Sequence, residues 1–276
     1  MRSKMIIPLM LLAVSCAPVN EQSIAKNQPF NGGSNRFKKL VWADEFNTDG
    51  KPDQSKWSYE QGYVRNKELQ YYTADRRENA QIKGGNLVIT ALPDSLRKDG
   101  KVYPLTSASL ITRGKYTFTY GRVEVRAKIP SSLGTWPAIW MLGENTDKVG
   151  WPKGGEIDIL EHVGYMPDTV HFNAHTQKYN HAVHTGKGTK IYYKEPYKDY
   201  HVYAIEWFKD RIDWYMDDKK VFTYANEGTG DDAWPFDKPE YIILNLAFGG
   251  AWGGSRGVDL KSLPQTFLID YVRVYQ

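Results

Sequence analysis

Tyr116-Thr-Phe-Thr-Tyr-Gly-Arg-Val-Glu-Val-Arg-Ala-Lys128 alternates β-branched or aromatic residues with polar ones at period two, broken once by Tyr120-Gly121. Alternation of this kind suits a half-buried strand, in which successive side chains point to opposite faces. The same pattern recurs in Asn86-Leu-Val-Ile-Thr-Ala91 and Arg211-Ile-Asp-Trp-Tyr-Met216, with turn residues at Lys83-Gly-Gly-Asn86 and Asp217-Asp218. Nowhere after Phe37 do apolar residues recur at helical spacing over a dozen positions. The pattern predicts an all-β fold with few, short helices: a β-sandwich of the jelly-roll kind, two curved antiparallel sheets with an open cleft on the concave face.

The 276 residues are 41% hydrophobic and 25% charged, an ordinary globular composition. The net charge of +4 is spread along the chain, and the densest basic stretch, Lys187 to Lys198, is interrupted by Glu195 and tyrosines. Nucleic acid is therefore not an expected partner. Aromatics stand out, with nine Trp, nineteen Tyr and ten Phe. Most belong in a core, but rings that keep one polar edge also suit the faces of sugars.

At the start, Arg2 and Lys4 precede an uncharged apolar run, Ile6 to Val14, too short to span a membrane. Ala13 and Ser15 lead to Cys16, the single cysteine, so no intrachain disulfide is possible. The arrangement resembles a bacterial lipoprotein cleavage box, with Ala13 in place of the usual leucine. Residues 1–16 are read as the signal and Cys16 as the lipidation site. Residues 17–36, rich in Asn, Gln, Ser, Gly and Pro, are read as a flexible tether, and residues 37–276 as one catalytic domain. An exported, membrane-anchored monomer is the expectation, touching the membrane through the lipid alone.

Gly154-Gly-Glu-Ile-Asp-Ile-Leu-Glu-His-Val-Gly164 sets three acids within six residues of an otherwise apolar strand. On a regular strand Glu156 and Asp158 share a face and Glu161 points away; one bulged residue at Ile159-Leu160 returns Glu161 to the acidic face. The two glutamates then lie about four strand steps apart, roughly 13 Å between Cα atoms. Leaning together, their carboxyls reach about 5 Å, the separation of a retaining glycosidase rather than an inverting one. Glu156 would attack the anomeric carbon, Glu161 would act as acid and then base, and Asp158 would share a proton with Glu156 or orient it. Three carboxylates would also serve a solvated strand face or a hard cation. The flanking Ile and Leu residues, the Trp151-Pro152 lead-in and the aromatic surplus argue against both.

The segment resembles the E-x-D-x-x-E signature of glycoside hydrolase family sixteen, in its laminarinase- and lichenase-like branch. Gly134-Thr-Trp-Pro-Ala-Ile-Trp-Met-Leu-Gly143, Asn66-Lys-Glu-Leu-Gln-Tyr-Tyr-Thr73, Asn245-Leu-Ala-Phe-Gly-Gly-Ala-Trp-Gly-Gly254 and Asp270-Tyr-Val-Arg-Val-Tyr-Gln276 are similar to other landmarks of that family, in order. The resemblance implies a β-glucan substrate and a cleft walled by Trp136, Trp140 and Trp151, with Trp140 equally open to a core role. It implies that Asn66 and Trp252 hold sugars toward the non-reducing end, and that His175 stands beside the acid/base, with His171 on the same face. No cofactor is implied for catalysis. A structural calcium is implied at Glu45, the Gly85 carbonyl and Asp270. Galactanases share the fold and signature, and a non-catalytic glycan-binding lipoprotein would share the cleft; both stay open as alternatives.

Overall fold

The computed structural model describes residues 36–276 apart from Asp218, so the signal, Cys16 and the tether up to residue 35 lie outside the described residues. In chain order the strands are β1 (Leu40–Asp44), β2 (Ser58–Tyr59), β3 (Tyr71–Tyr72), β4 (Ala80–Lys83), β5 (Asn86–Lys98), β6 (Lys101–Ser107), β7 (Ser109–Ile111), β8 (Gly121–Lys128) and β9 (Thr135–Gly143). They continue as β10 (Glu156–Glu161), β11 (Thr169–His175), β12 (Lys187–Tyr192), β13 (His201–Trp207), β14 (Arg211–Met216), β15 (Lys219–Ala225), β16 (Glu240–Phe248) and β17 (Gln265–Tyr275). Helix among the described residues is confined to Thr146–Val149 and two single 3-10 turns, as the lack of helical spacing predicts.

Two sheets form. A ten-stranded sheet runs β15-β14-β13-β8-β17-β5-β6-β3, with β1 joined to β17 and β4 to β5. A seven-stranded sheet runs β12-β11-β10-β9-β16-β7-β2. Pairing is antiparallel throughout except for the short β3–β6 contact. Alternation along each strand decides what the sheets bury between them. Ile139 and Met141 of β9, Ile157 of β10, Phe172 of β11 and Ile242 and Leu244 of β16 point inward, where they meet Val123 and Val125, Ile205 and Trp207, Ile212 and Trp214, and Phe267 and Ile269 from the larger sheet. Two indole N–H groups inside this core are bonded, Trp207 donating to the Phe236 carbonyl (2.9 Å) and Trp57 to Asp44 (2.8 Å). The residues alternating with this set on the seven-stranded sheet carry the cleft.

One expected strand is absent. Tyr116–Tyr120 touches a sheet only where Phe118 bridges Glu240. Its alternation serves ring packing instead: Tyr116 stacks between Trp42 (5.1 Å) and Phe118 (5.5 Å), and Tyr120 turns to φ 62° to enter β8.

Candidate active site

The register of β10 shows where the extra residue lies. Against β9, Glu156 faces Leu142 and Asp158 faces Trp140, but Leu160 faces Ile139 and Glu161 faces Ala138, so six residues of β10 oppose five of β9. Against β11, Glu156 pairs with His175, Asp158 with Asn173 and Glu161 with His171. The bulge expected at Ile159-Leu160 is present, and both of these side chains are buried in the core while all three acids line one cavity of about 770 Å³. A bulge turns a backbone carbonyl out of the ladder, and an unmet buried carbonyl is costly. Here Trp214, reaching across from β14 of the other sheet, donates its indole N–H to the Asp158 carbonyl at 2.9 Å.

Each acid has its own partners. Glu156 accepts from the Trp151 indole (2.8 Å) and hydrogen-bonds Asp158. His175 Nε2 lies 3.3 Å from Asp158 Oδ2 and 3.8 Å from Glu156 Oε1. Glu161 accepts from the Trp136 indole at one oxygen and from the Asn173 amide at the other, both at 3.1 Å. Burial raises all three carboxyl pKa values and mutual repulsion adds to the rise: Glu156 is pushed up to about 8, Glu161 to about 7, and Asp158 upward. The cluster therefore titrates as a unit and keeps protons near neutrality.

The walls account for the expected aromatics. Trp136, Trp140, Trp151 and Trp252 all line the cavity. Trp136 and Trp252 meet edge to face (5.4 Å), and His171 meets Trp252 the same way (4.9 Å). Trp140 is only 7% exposed but belongs to the cleft floor, where its N–H donates to Asn245 (2.7 Å) and the Arg65 guanidinium lies 4.8 Å above the ring. Trp151 is 41% exposed and stands at the rim against His181 (5.0 Å). Asn66 lines the cavity from a loop whose backbone takes φ 55° at Asn66 and 54° at Lys67, and its amide donates to the buried Glu68 (3.3 Å). One expected placement is corrected: His175 stands beside Glu156 and Asp158, at the far end of β10 from Glu161, because antiparallel pairing sets it opposite Glu156. His171 takes the place opposite Glu161.

Several cleft residues escaped the sequence reading. Asn173 could have been found, since it falls between His171 and His175 at period two. Arg65 and Glu68 lie in or beside a recognised segment, whereas His181 carried no local signal, nor did Trp214, which supports the cleft strand from the core. His162, next to the third acid, is buried with Nε2 at 3.0 Å from the Pro167 carbonyl. On the other sheet, the pairing of β1 and β5 with β17 brings Glu45, just past β1, and Gly85, just before β5, close to Asp270 of β17. Glu45 gives both carboxylate oxygens to Arg273 (2.7 and 2.8 Å), and Asp270 accepts from Arg126 (2.7 Å). Guanidinium groups thus hold the carboxylates expected to hold calcium.

A two-sheet sandwich carrying one buried and two half-buried acids in an aromatic cleft defines a glycan-cleaving class of site. The sequence matches the Glycosyl hydrolases family 16 profile over residues 52–273, and the chain belongs to that family. A beta-glucanase from Rhodothermus marinus is 48% identical over 258 residues, covering 88% of this chain and 89% of that one. The X-ray structure of the laminarinase from Rhodothermus marinus superposes with a TM-score of 0.82 at 47% identity, over 86% of this chain and 97% of that one. A mutant of a non-specific endo-β-1,3(4)-glucanase, co-crystallized with 1,3-β-D-cellotriosyl-glucose, superposes with a TM-score of 0.84 at 43% identity, over 90% of this chain and 98% of that one.

Proposed function

We propose that this glycoside hydrolase is a retaining endo-β-glucanase that cuts β-1,3 or mixed β-1,3/1,4 chains by double displacement. The observation that carries the reading is the bulge, which sets Glu156 and Glu161 four β9 residues apart on one face. Glu156 is the nucleophile: Trp151 and His175 turn toward its carboxylate and favour the ionised form as it attacks, while Asp158, hydrogen-bonded to it, repels a second charge and holds it toward the proton. Glu161 protonates the departing oxygen, then takes a proton from the water that releases the glycosyl-enzyme. Trp136 and Asn173 fix its direction while it does both. Trp140 and Trp252 offer ring faces to the sugars, and Asn66 with Asn245 supplies polar edges to hydroxyls.

Arg65 is the one arginine lining the cavity among the described residues, and its charge is already matched by an ion pair with Glu60. A cleft of this kind supports a neutral glucan over a sulfated galactan. Digestion of laminarin, barley glucan, lichenan and agarose with product sizing tests the reading. Oligosaccharides from the first three support it; cleavage of agarose alone, or glucan retention in an affinity gel with no new reducing ends, overturns it.

We also propose that Cys16 carries a lipid anchor and that residues 17–36 tether the domain to a membrane. Cys16→Ala should free the protein from membranes with hydrolysis intact. For calcium, the proposal narrows to carbonyl oxygens of Glu45 and Gly85 with Asp270, since Glu45 gives its carboxylate to Arg273.

A further inference from the structure

Glu156 and Asp158 project from β10, and His175 stands opposite Glu156 on β11. One donor atom from each, a carboxylate oxygen from the two acids and a ring nitrogen from the histidine, all lie within 4.8 Å of one another. In a tetrahedral site with bonds of about 2.0–2.2 Å, neighbouring ligand atoms lie roughly 3.3–3.6 Å apart. His175 Nε2 and Asp158 Oδ2, 3.3 Å apart, already have that span, and Glu156 Oε1 at 3.8 Å from the same nitrogen needs only a small rotation.

Two further observations mark a ligand position rather than a finished ion pair. Asp158 is 2% exposed, yet its Oδ2 has no hydrogen-bond partner and points toward His175 Nε2. The cavity opens over all three side chains, which gives an ion a way in and leaves a coordination position for water. Glu161 is excluded, because Trp136 and Asn173 occupy both of its oxygens. The Trp151 N–H on the other oxygen of Glu156 supplies the outer support that ligating carboxylates use.

We propose that Glu156, Asp158 and His175 form a binding site for a borderline-soft divalent cation, of which Zn²⁺ is the probe, and that its occupation switches hydrolysis off. An imidazole with two carboxylates suits Zn²⁺ or Cu²⁺ better than calcium or magnesium, which favour sites made only of oxygen. The inhibition rests on the proposed role of Glu156, whose attacking oxygen the ion would cover; the binding does not depend on that role.

The test is calorimetric titration of ZnCl₂ into the full chain at neutral pH without glucan, alongside laminarin hydrolysis at rising Zn²⁺. One ion per chain is expected, with inhibition competitive against laminarin and reversed by a chelator. His175→Ala and Glu156→Gln should each weaken binding by roughly tenfold or more, while Glu161→Gln and Cys16→Ala leave the affinity within about twofold. Absence of saturable binding at millimolar Zn²⁺, or an affinity unmoved by His175→Ala, overturns the proposal. So does loss of binding in His181→Ala with Glu156→Gln unaffected, which would put the ion between His175 and His181. Zinc bound as expected by a chain that cuts no glucan would leave this site standing and sink the glucanase reading instead.

Discussion

Each sheet holds a group of carboxylates drawn wholly or partly out of water, and the two groups are answered in opposite ways. On the ten-stranded sheet, Arg122 gives its Nε to Glu124 (2.7 Å) and Nη1 to Glu206 (3.3 Å), while the Tyr215 hydroxyl donates to the remaining oxygen of Glu206 (3.0 Å). On the cleft sheet, Glu156, Asp158 and Glu161 face a histidine, indoles and an amide where the other group has a guanidinium. A permanent cation makes a buried carboxylate part of the framework; without one it is left hungry for a proton, a carbon centre or a metal. The strand sequences look alike, Arg-Val-Glu-Val against Glu-Ile-Asp-Ile, so the difference lies in what each partner strand supplies.

Removing either glutamate should break the contrast most sharply. Glu156→Ala and Glu161→Ala should both fold and lose activity, by roughly 10²–10⁴ for the acid/base and at least as much for the nucleophile. With an activated glycoside and azide, Glu156→Ala should give the α-glycosyl azide and Glu161→Ala the β-azide, read by NMR. Products in the reverse order would exchange the two roles.

Arg122→Met should do the opposite, costing about 3–5 kcal/mol in denaturant unfolding because two buried carboxylates lose their cation. Activity per folded molecule should stay unchanged. A stable Arg122→Met variant with a damaged pH profile would erase the distinction between the two sheets.

A smaller effect separates them by pH. The folded Glu156 carboxyl is raised from 4.5 to about 8, so the native state holds a proton that the unfolded chain has released. Its penalty is absent below the unfolded value and grows as pH rises toward the folded one. Glu156→Gln should therefore match the parent in Tm near pH 4 and exceed it at pH 8, by roughly 2–4 °C for each kcal/mol relieved. Equal Tm at both pH values would mean that the acid is not held protonated by burial. Asn173→Ala should move the pH profile of kcat/KM upward, because the lost N–H bond favours the ionised form of Glu161. The smallest effect tests the proposed calcium site: a chelator should lower Tm slightly without changing kcat, and no shift would leave the corner to its arginine pairs.

The sequence showed its strands wherever period two coincided with pairing, as in β5, β8, β10 and β14, and it misled at Tyr116–Tyr120, where alternation served aromatic stacking. Glu156, Asp158, Glu161 and the bulge were legible because three acids among isoleucines have few bland explanations. The burial of Arg122 and Glu124 was not: alternation identifies two faces but not which one is wet. Trp214 is 56 positions from the carbonyl it serves, and Arg273 is 228 from Glu45; neither partnership leaves a local pattern. His175 was misplaced along its strand because only the pairing register fixes which residue of β11 stands opposite which acid.

The extra residue of β10 also says how this strand tolerates a change of length. Glu156 faces Leu142 and Glu161 faces Ala138, a spacing of four on the partner strand. A strand lacking the extra residue would put its third acid four positions after the first, opposite the same two partners. Loss or gain of one codon at 159–160 is therefore invisible to the spacing of the outer acids, and it falls instead on the core side and on the carbonyl that meets Trp214. In an alignment of relatives with and without this residue, the gap belongs between Asp158 and Glu161, and the residue at position 214 should vary together with it.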